Sequence, residues 1–192
     1  MRRLIVTEFM SLDGVVEAPG GEPTHPHSGW TFPFATDALQ AAKLQEVRDA
    51  GSLLLGRRTY EQFAEAWPPR DGEFADRMNG LSKTVVTSRT DPLEWNATRL
   101  DVGDTGSVRA AVAALKDDAG TGDILVAGSA SLVRALVVWG LVDELRLLTY
   151  PVLLGGGRRI FPDDREKWTF ELAELERFDS GAVLHVYRLA GS

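Results

Sequence analysis

Through residue 140 of this 192-residue chain, short apolar runs alternate with stretches of helical spacing. After that point only strand-like runs follow. No other feature restricts the fold so tightly. Alternation of strand and helix demands a mainly parallel sheet covered by helices on both faces. Strands that follow one another without helices add antiparallel pairs at one edge. The expected architecture is a three-layer α/β/α fold: a mainly parallel twisted sheet with a C-terminal antiparallel hairpin.

Residues 3–10 (RLIVTEFM) read as a buried first strand ending at Ser11-Leu12-Asp13-Gly14, a turn signature. Residues 11–35 hold glycines at 14, 20, 21 and 29 and prolines at 19, 23, 26 and 33, which excludes a regular element. A loop of that length in a compact domain is functional or disordered. Thr36 offers an N-cap for a helix over 37–50, with Gly51 as its stop. Residues 52–56 (SLLLG) have the pattern of a strand buried on both faces, and 57–66 have helical spacing up to Pro68-Pro69. Then come a strand at 83–88, a helix at 107–119, a strand at 123–127, a helix at 130–139 and a long strand at 143–154. Residues 168–178 and 182–189 alternate in polarity and are split by Asp179-Ser180-Gly181, the pattern of a hairpin. One domain spanning residues 1–192 accommodates all of this.

The chain carries 21 Lys+Arg against 28 Asp+Glu, a net charge of −7. That balance argues against sequence-independent nucleic-acid binding, which needs a broad basic face, and against docking on anionic membranes. The absence of cysteine removes disulfide scaffolds, thiolate zinc sites and cysteine nucleophiles. No apolar run approaches the ~20 residues needed to span a bilayer, and no signal peptide is visible. The expectation is a cytoplasmic protein.

In parallel sheets ligands bind beyond the carboxyl ends of the strands, where helix N-termini favour phosphate. Three strand-to-helix junctions fit. Gly56-Arg57-Arg58-Thr59 combines a close-turning glycine, two guanidiniums and a hydroxyl. Two cations at a helix N-terminus oppose its dipole, and a bound polyphosphate gives them a reason; a solvated face with Thr59 as local cap is the bland alternative. Thr87-Ser88-Arg89 could hold a phosphate monoester or be an ordinary polar strand exit. Ala127-Gly128-Ser129-Ala130 lets a pyrophosphate approach the backbone, though small residues also serve strand–helix packing. Together the three suggest one extended ligand with several phosphates, a dinucleotide.

Gly56-Arg57-Arg58-Thr59-Tyr60-Glu61 resembles the G-R-x-T-[WY]-E signature of dihydrofolate reductases. Residues 84–88 resemble their second cofactor strand, and residues 126–129 their glycine-pair segment. Ser11-Leu12-Asp13-Gly14 and residues 150–157 (YPVLLGGG) look more like the C-terminal reductase domain of the riboflavin-biosynthesis deaminase-reductase. The chain therefore resembles that reductase family, within the dihydrofolate-reductase-like fold, over nearly its whole length. The resemblance implies NADPH as hydride donor. It implies that Arg57, Arg58 and Thr59 contact cofactor phosphates, and that Thr87, Ser88 and Arg89 lie toward the adenosine 2′-phosphate. It places Gly56 in the same junction and Ala127, Gly128, Ser129 and Ala130 along the pyrophosphate. Trp30 would flank the nicotinamide side and Thr149 would lie near the substrate. A homodimer is implied as well. The sequence departs from the riboflavin enzymes at Val126, where they usually carry a glutamate that contacts substrate, and a stand-alone form without a deaminase domain is expected.

Hydride transfer to C=N or C=O needs a positioned nicotinamide, a shielded substrate and a proton. Asp37, at the start of the first helix, and Asp13, in the turn after the first strand, are the candidate acids; each could instead serve only its local structure. His25 and His27 place two imidazoles together without a third ligand nearby in sequence, so no metal is expected. The leading function is an NADPH-dependent reductase of a small heterocyclic substrate, similar to 5-amino-6-(5-phosphoribosylamino)uracil reductase. The alternatives are a dihydrofolate reductase-type activity or a non-catalytic nucleotide-binding module.

Overall fold

The computed structural model describes residues 1–161 and 167–190. Its elements are β1 (Leu4–Ser11), α1 (Asp37–Asp49), β2 (Ala50–Gly56), α2 (Arg57–Ala66), α3 (Glu73–Gly80), β3 (Ser82–Thr87), β4 (Ala97–Asp101), α4 (Thr105–Asp117), β5 (Asp123–Val126), α5 (Ala130–Val138), β6 (Glu144–Tyr150), β7 (Phe170–Arg177) and β8 (Val183–Leu189). The strands form one eight-stranded sheet in the order β4-β3-β2-β5-β1-β6-β8-β7. Strands β1 to β6 pair in parallel. Strand β8 runs antiparallel to both β6 and β7.

The apolar runs explain the layers. Leu53 and Leu55 pack with Val47, Tyr60 and Met78 of the α1–α3 layer, while Leu54 packs with Val108, Val112 and Leu136 of the α4–α5 layer. All three leucines are fully buried. Strand side chains alternate faces, so an uninterrupted apolar run needs cover on both. Each such leucine contributes about 1.5–3 kcal/mol of burial free energy. Helix α1 begins as expected, with Thr36 Oγ1 accepting from the Leu39 amide at 3.3 Å, a cap contributing about 1 kcal/mol.

Helix α3 and strand β4 have no counterpart in the sequence reading. Strand β4 is a short, half-exposed strand of sequence ATRLD, lacking an apolar stripe. Helix α3 has eight residues and buries only Ala75 and Met78. Gly51 is no helix stop: α1 ends at Asp49 and Gly51 lies inside β2, at a shift in its register with β5. Strand β6 ends at Tyr150, short of the expected 154, because Pro151 has no amide to donate.

Two features position the site. Helix α1 carries the chain from β1 to β2 over one face, and α5 carries it from β5 to β6 over the other. The neighbours β1 and β5 therefore diverge: their last paired residues are Val6 and Val126, while β1 continues along β6 to Ser11. A crevice opens there, where such sheets bind ligands. The long loop before α1 is ordered by the segment after β6. Val15 forms a β-bridge with Arg159, Arg158 pairs with Glu17 at 3.0 Å, and His25 Nε2 lies 2.9 Å from the Gly156 carbonyl. Among the described residues, no helix is long and apolar enough to cross a membrane.

Candidate functional site

The capping of the helices differs by where they point. Helices α1 and α4 are closed by the side chains of Thr36 and Asp104. Helices α2 and α5 start at Gly56 and Ser129 with no side-chain cap and no acid in the first turn. Their N-terminal amides are left for an outside acceptor. The two ends also lie against each other. A Cβ on Gly56 would sit 2.0 Å from Ser129 Oγ, and one on Gly128 would sit 2.9 Å from Thr59 Oγ1. Gly128 has φ +88, a region closed to most side chains, and the Gly128–Ser129 peptide is cis. Backbone approach this close brings two helix N-termini to one place, a cradle for paired phosphates.

Two cavities meet at this contact. One, of about 410 Å³, is lined by Gly56, Arg57, Arg58, Thr87, Ser88 and Ser129 among others. The second, of about 1380 Å³, runs through the crevice between β1 and β5 and is lined by Thr59, Ala127, Gly128, Ser129 and Ala130 on one side. Arg58, Ser129 and Ser131 border both. The structure thus gathers residues of all three junctions into one continuous depression. Arg89 lines neither cavity; it is exposed, 3.9 Å from Glu61 and 4.0 Å from Asp91. Arg57 also pairs with Glu61, at 2.7 Å. The Thr87 hydroxyl is turned inward to accept from the Arg89 amide at 3.1 Å.

Besides Arg89, four expected residues line neither cavity. The Asp13 carboxylate is spent on the loop. It accepts from the Ser11 hydroxyl at 2.7 Å and from the amides of Leu154 and Gly155, and it lies 3.6 Å from Arg159. Those hydrogen bonds, Ser11 first, hold its pKa down at about 2. A group stabilised as an anion is a poor proton donor at neutral pH. Asp37 is exposed in the first turn of α1, where it favours the dipole. Trp30 is buried, its indole N–H donating to the Glu17 carbonyl at 2.8 Å and its ring edge-on to Tyr150 at 5.4 Å. Thr149 yields its expected place to Tyr150, one residue on, because alternate side chains leave a strand on opposite faces. Burial raises the Tyr150 pKa, so its phenol stays neutral.

The wall opposite the cradle was not read from the sequence. It contains Thr7 and Glu8 of β1 and Lys43 and Glu46 of α1. Lys43 donates to Thr7 Oγ1 at 2.6 Å and to Glu46, Thr7 donates to Glu46 at 3.1 Å, and Arg146 lies 3.6 Å from Glu46. Glu8 has one carboxyl oxygen shielded from solvent with no hydrogen-bond partner. Burial pushes its pKa up to about 8, against the pull of Lys43. The available signal was a charged residue inside the apolar run RLIVTEFM. Farther along, the cavity becomes apolar, with Phe63, Trp67, Phe74 and Met78. Both ring nitrogens of His25 face loop backbone, the Gly156 carbonyl and the His27 amide. Among the described residues, no group of three or more His, Asp or Glu is placed to hold a metal ion.

Comparisons with known proteins agree with this architecture. The RibD C-terminal domain family matches residues 2–184. An uncharacterized protein of Bacillus subtilis (strain 168), YyaP, is 27% identical over 198 residues, covering 99% of this chain and 96% of that protein. A solved structure of a protein assigned to riboflavin biosynthesis in Shewanella sp. PV-4 superposes with a TM-score of 0.73 at 17% identity, covering 97% of this chain and 98% of the other. A dihydrofolate reductase from Enterococcus faecalis, complexed with NADP(H) and RAB-propyl, superposes with a TM-score of 0.61 at 16% identity over 98% of this chain and 96% of the other.

Proposed function

The chain belongs to the RibD C-terminal domain family, and from that premise we propose that it is an NADPH-dependent reductase of a small heterocyclic substrate, similar in reaction to 5-amino-6-(5-phosphoribosylamino)uracil reductase. The observation that carries this reading is the contact between Gly56 and Ser129 and between Gly128 and Thr59, which sets two uncapped helix N-termini side by side above a large cavity. When bound, NADPH supplies a hydride from its reduced nicotinamide. The amides opening α2 and α5 receive the pyrophosphate. Arg57, Arg58, Ser88 and Arg89 receive the phosphates at the adenosine end, the 2′-phosphate included. The β1–β5 crevice holds nicotinamide and substrate together and excludes water, and Tyr150 supplies a neutral hydroxyl to its wall.

Fluorescence titration of the purified protein with NADPH and NADH tests this. NADPH binds at least tenfold more tightly, and Arg58→Ala or Arg89→Ala removes most of that preference, since charge-assisted hydrogen bonds contribute about 1.5–3 kcal/mol each. Equal weak binding of both cofactors overturns the reading. NADPH consumption with 5-amino-6-(5-phosphoribosylamino)uracil then tests the substrate class.

The withdrawal of Asp13 and Asp37 from the cavity favours a second reading, a nucleotide-binding module without an acid. That module binds NADPH and turns over no pterin or pyrimidine. A homodimer accompanies either reading. Strand β7 is an eight-residue edge strand exposed along nearly its whole length, with Leu172 and Leu175 more than half exposed. A long bare edge of this kind is normally covered.

A further inference from the structure

We propose that Glu8 is the catalytic acid of this site, the carboxyl that protonates the substrate atom next to the carbon being reduced. The inference rests on the reductase reading and goes beyond it, because neither expected aspartate lines the cavity.

Position comes first. Val6 and Val126 are the last residues paired between β1 and β5. Two residues farther along each chain stand Glu8 and Gly128, on either side of the gap where the strands part. Both line the same cavity. Glu8 is thus the carboxyl nearest in register to the helix α5 cradle.

Chemical state comes second. Thr7 and Phe9 turn toward α1, so by alternation Glu8 turns the other way. Four of the cations bordering the cavity are committed elsewhere. Lys43 is held by Glu46 and Thr7, Arg134 by the carbonyls of Ile160 and Arg159, Arg158 by Glu17, and Arg159 by the Asp13 carbonyl. Lys43 pulls against the rise in the Glu8 pKa, and burial outweighs that pull. One carboxyl oxygen has no partner in the protein. The shielded, unpartnered oxygen favours the neutral carboxyl, and the other oxygen, which is not sealed off, is left to hydrogen-bond a ligand beside the cofactor cradle and to give up a proton.

The step balances. The substrate carbon gains the hydride supplied by NADPH, the adjoining nitrogen or oxygen takes the Glu8 proton, NADP⁺ remains, and the Glu8 carboxylate recovers a proton from solvent.

The test uses the intact protein labelled with ¹³C at glutamate side-chain carboxyls. NMR titration shows one carboxyl protonated near pH 7 that is missing in Glu8→Gln. Saturation with NADP⁺ lowers the proton affinity of that carboxyl about tenfold, because the oxidised ring brings a positive charge beside it, whereas NADPH leaves it within about threefold. With 5-amino-6-(5-phosphoribosylamino)uracil as probe, Glu8→Gln lowers kcat by about 10²–10⁴-fold while NADPH affinity stays within about twofold. A Glu8 that titrates like an ordinary glutamate, or ignores bound NADP⁺, overturns the proposal. So does a Gln variant with wild-type kcat. Failure of the protein to bind either form of the cofactor sinks the reductase reading itself, and is seen separately in the same samples.

Discussion

At the α2–α5 end, the cavity wall is largely main chain: two glycines, two uncapped helix starts and small residues, with Arg57 and Arg58 beside them. At the β1–α1 end the wall is side chain: Thr7, Glu8, Lys43 and Glu46, drawn from elements separated by the whole of the long loop. The first end suits a ligand part common to many enzymes, since phosphates need only amides and positive charge. The second suits one particular substrate, since its polar groups are few and buried. On the proposed reading, binding and chemistry are supported by different energetics. Shape and helix dipoles hold the first end; a desolvated charge network holds the second.

The largest effect is expected at the side-chain end. Glu46 is buried among Lys43, Thr7 and Arg146. Glu46→Ala takes the carboxylate partner from Lys43, while Arg146 keeps Glu144 at 2.7 Å, and destabilises the protein by about 3 kcal/mol, a fall in Tm of roughly 10 °C in thermal denaturation. The main-chain end breaks next. Gly56→Ala drives a methyl into Ser129 Oγ and costs about 1–3 kcal/mol, and the displaced helix starts bind NADPH about tenfold or more weakly by titration. If Gly56→Ala binds NADPH like the wild type, the cradle is not where the phosphates sit.

Titration separates Glu8 of the cavity wall from Asp13 of the loop. Glu8 keeps its proton to about pH 8 when folded but only to about 4.5 in an ordinary setting. The folded state therefore holds the extra proton, and stability falls as pH rises from about 4.5 to 8. Glu8→Gln removes that slope, which urea denaturation at pH 5 and pH 8 measures. Asp13 has the opposite sign. Its folded pKa of about 2 lies below the usual 3.8, so its contribution is present above about pH 4 and fades as pH falls toward 2. Asp13→Asn is less stable than wild type at pH 7, and the gap closes at the acid end. The smallest change in stability is expected far from the cavity. Leu175→Lys on the exposed β7 strand alters stability by no more than about 0.5 kcal/mol, yet converts the proposed dimer to monomer in light scattering.

The parts legible in the sequence share a property: each is local. The run SLLLG announces a strand covered on both faces because every residue in it is apolar, and Thr36 announces a helix start because one hydroxyl can reach its third following amide. Gly56-Arg57-Arg58-Thr59 and Gly128-Ser129 are readable for the same reason. Trp30 and Thr149 stand off the cavity lining because resemblance assigns a position along the chain, while a side chain's direction depends on pleat and packing; Tyr150 and Phe32 line the cavity there. Glu8 was visible as a charge in an apolar strand. Its meaning required knowing that β5 leaves the sheet beside it.

By itself the sequence determined the layer order, the parallel core, the terminal hairpin and the phosphate-friendly helix starts. These follow from periodicity and from groups within one or two turns of each other. The tertiary structure alone decided that β8 lies between β6 and β7, that α2 and α5 touch through glycines, and that Glu8 rather than Asp13 or Asp37 reaches the crevice. Those outcomes depend on which strands become neighbours and on burial, and both arise only when residues distant along the chain are brought together and water is removed from between them.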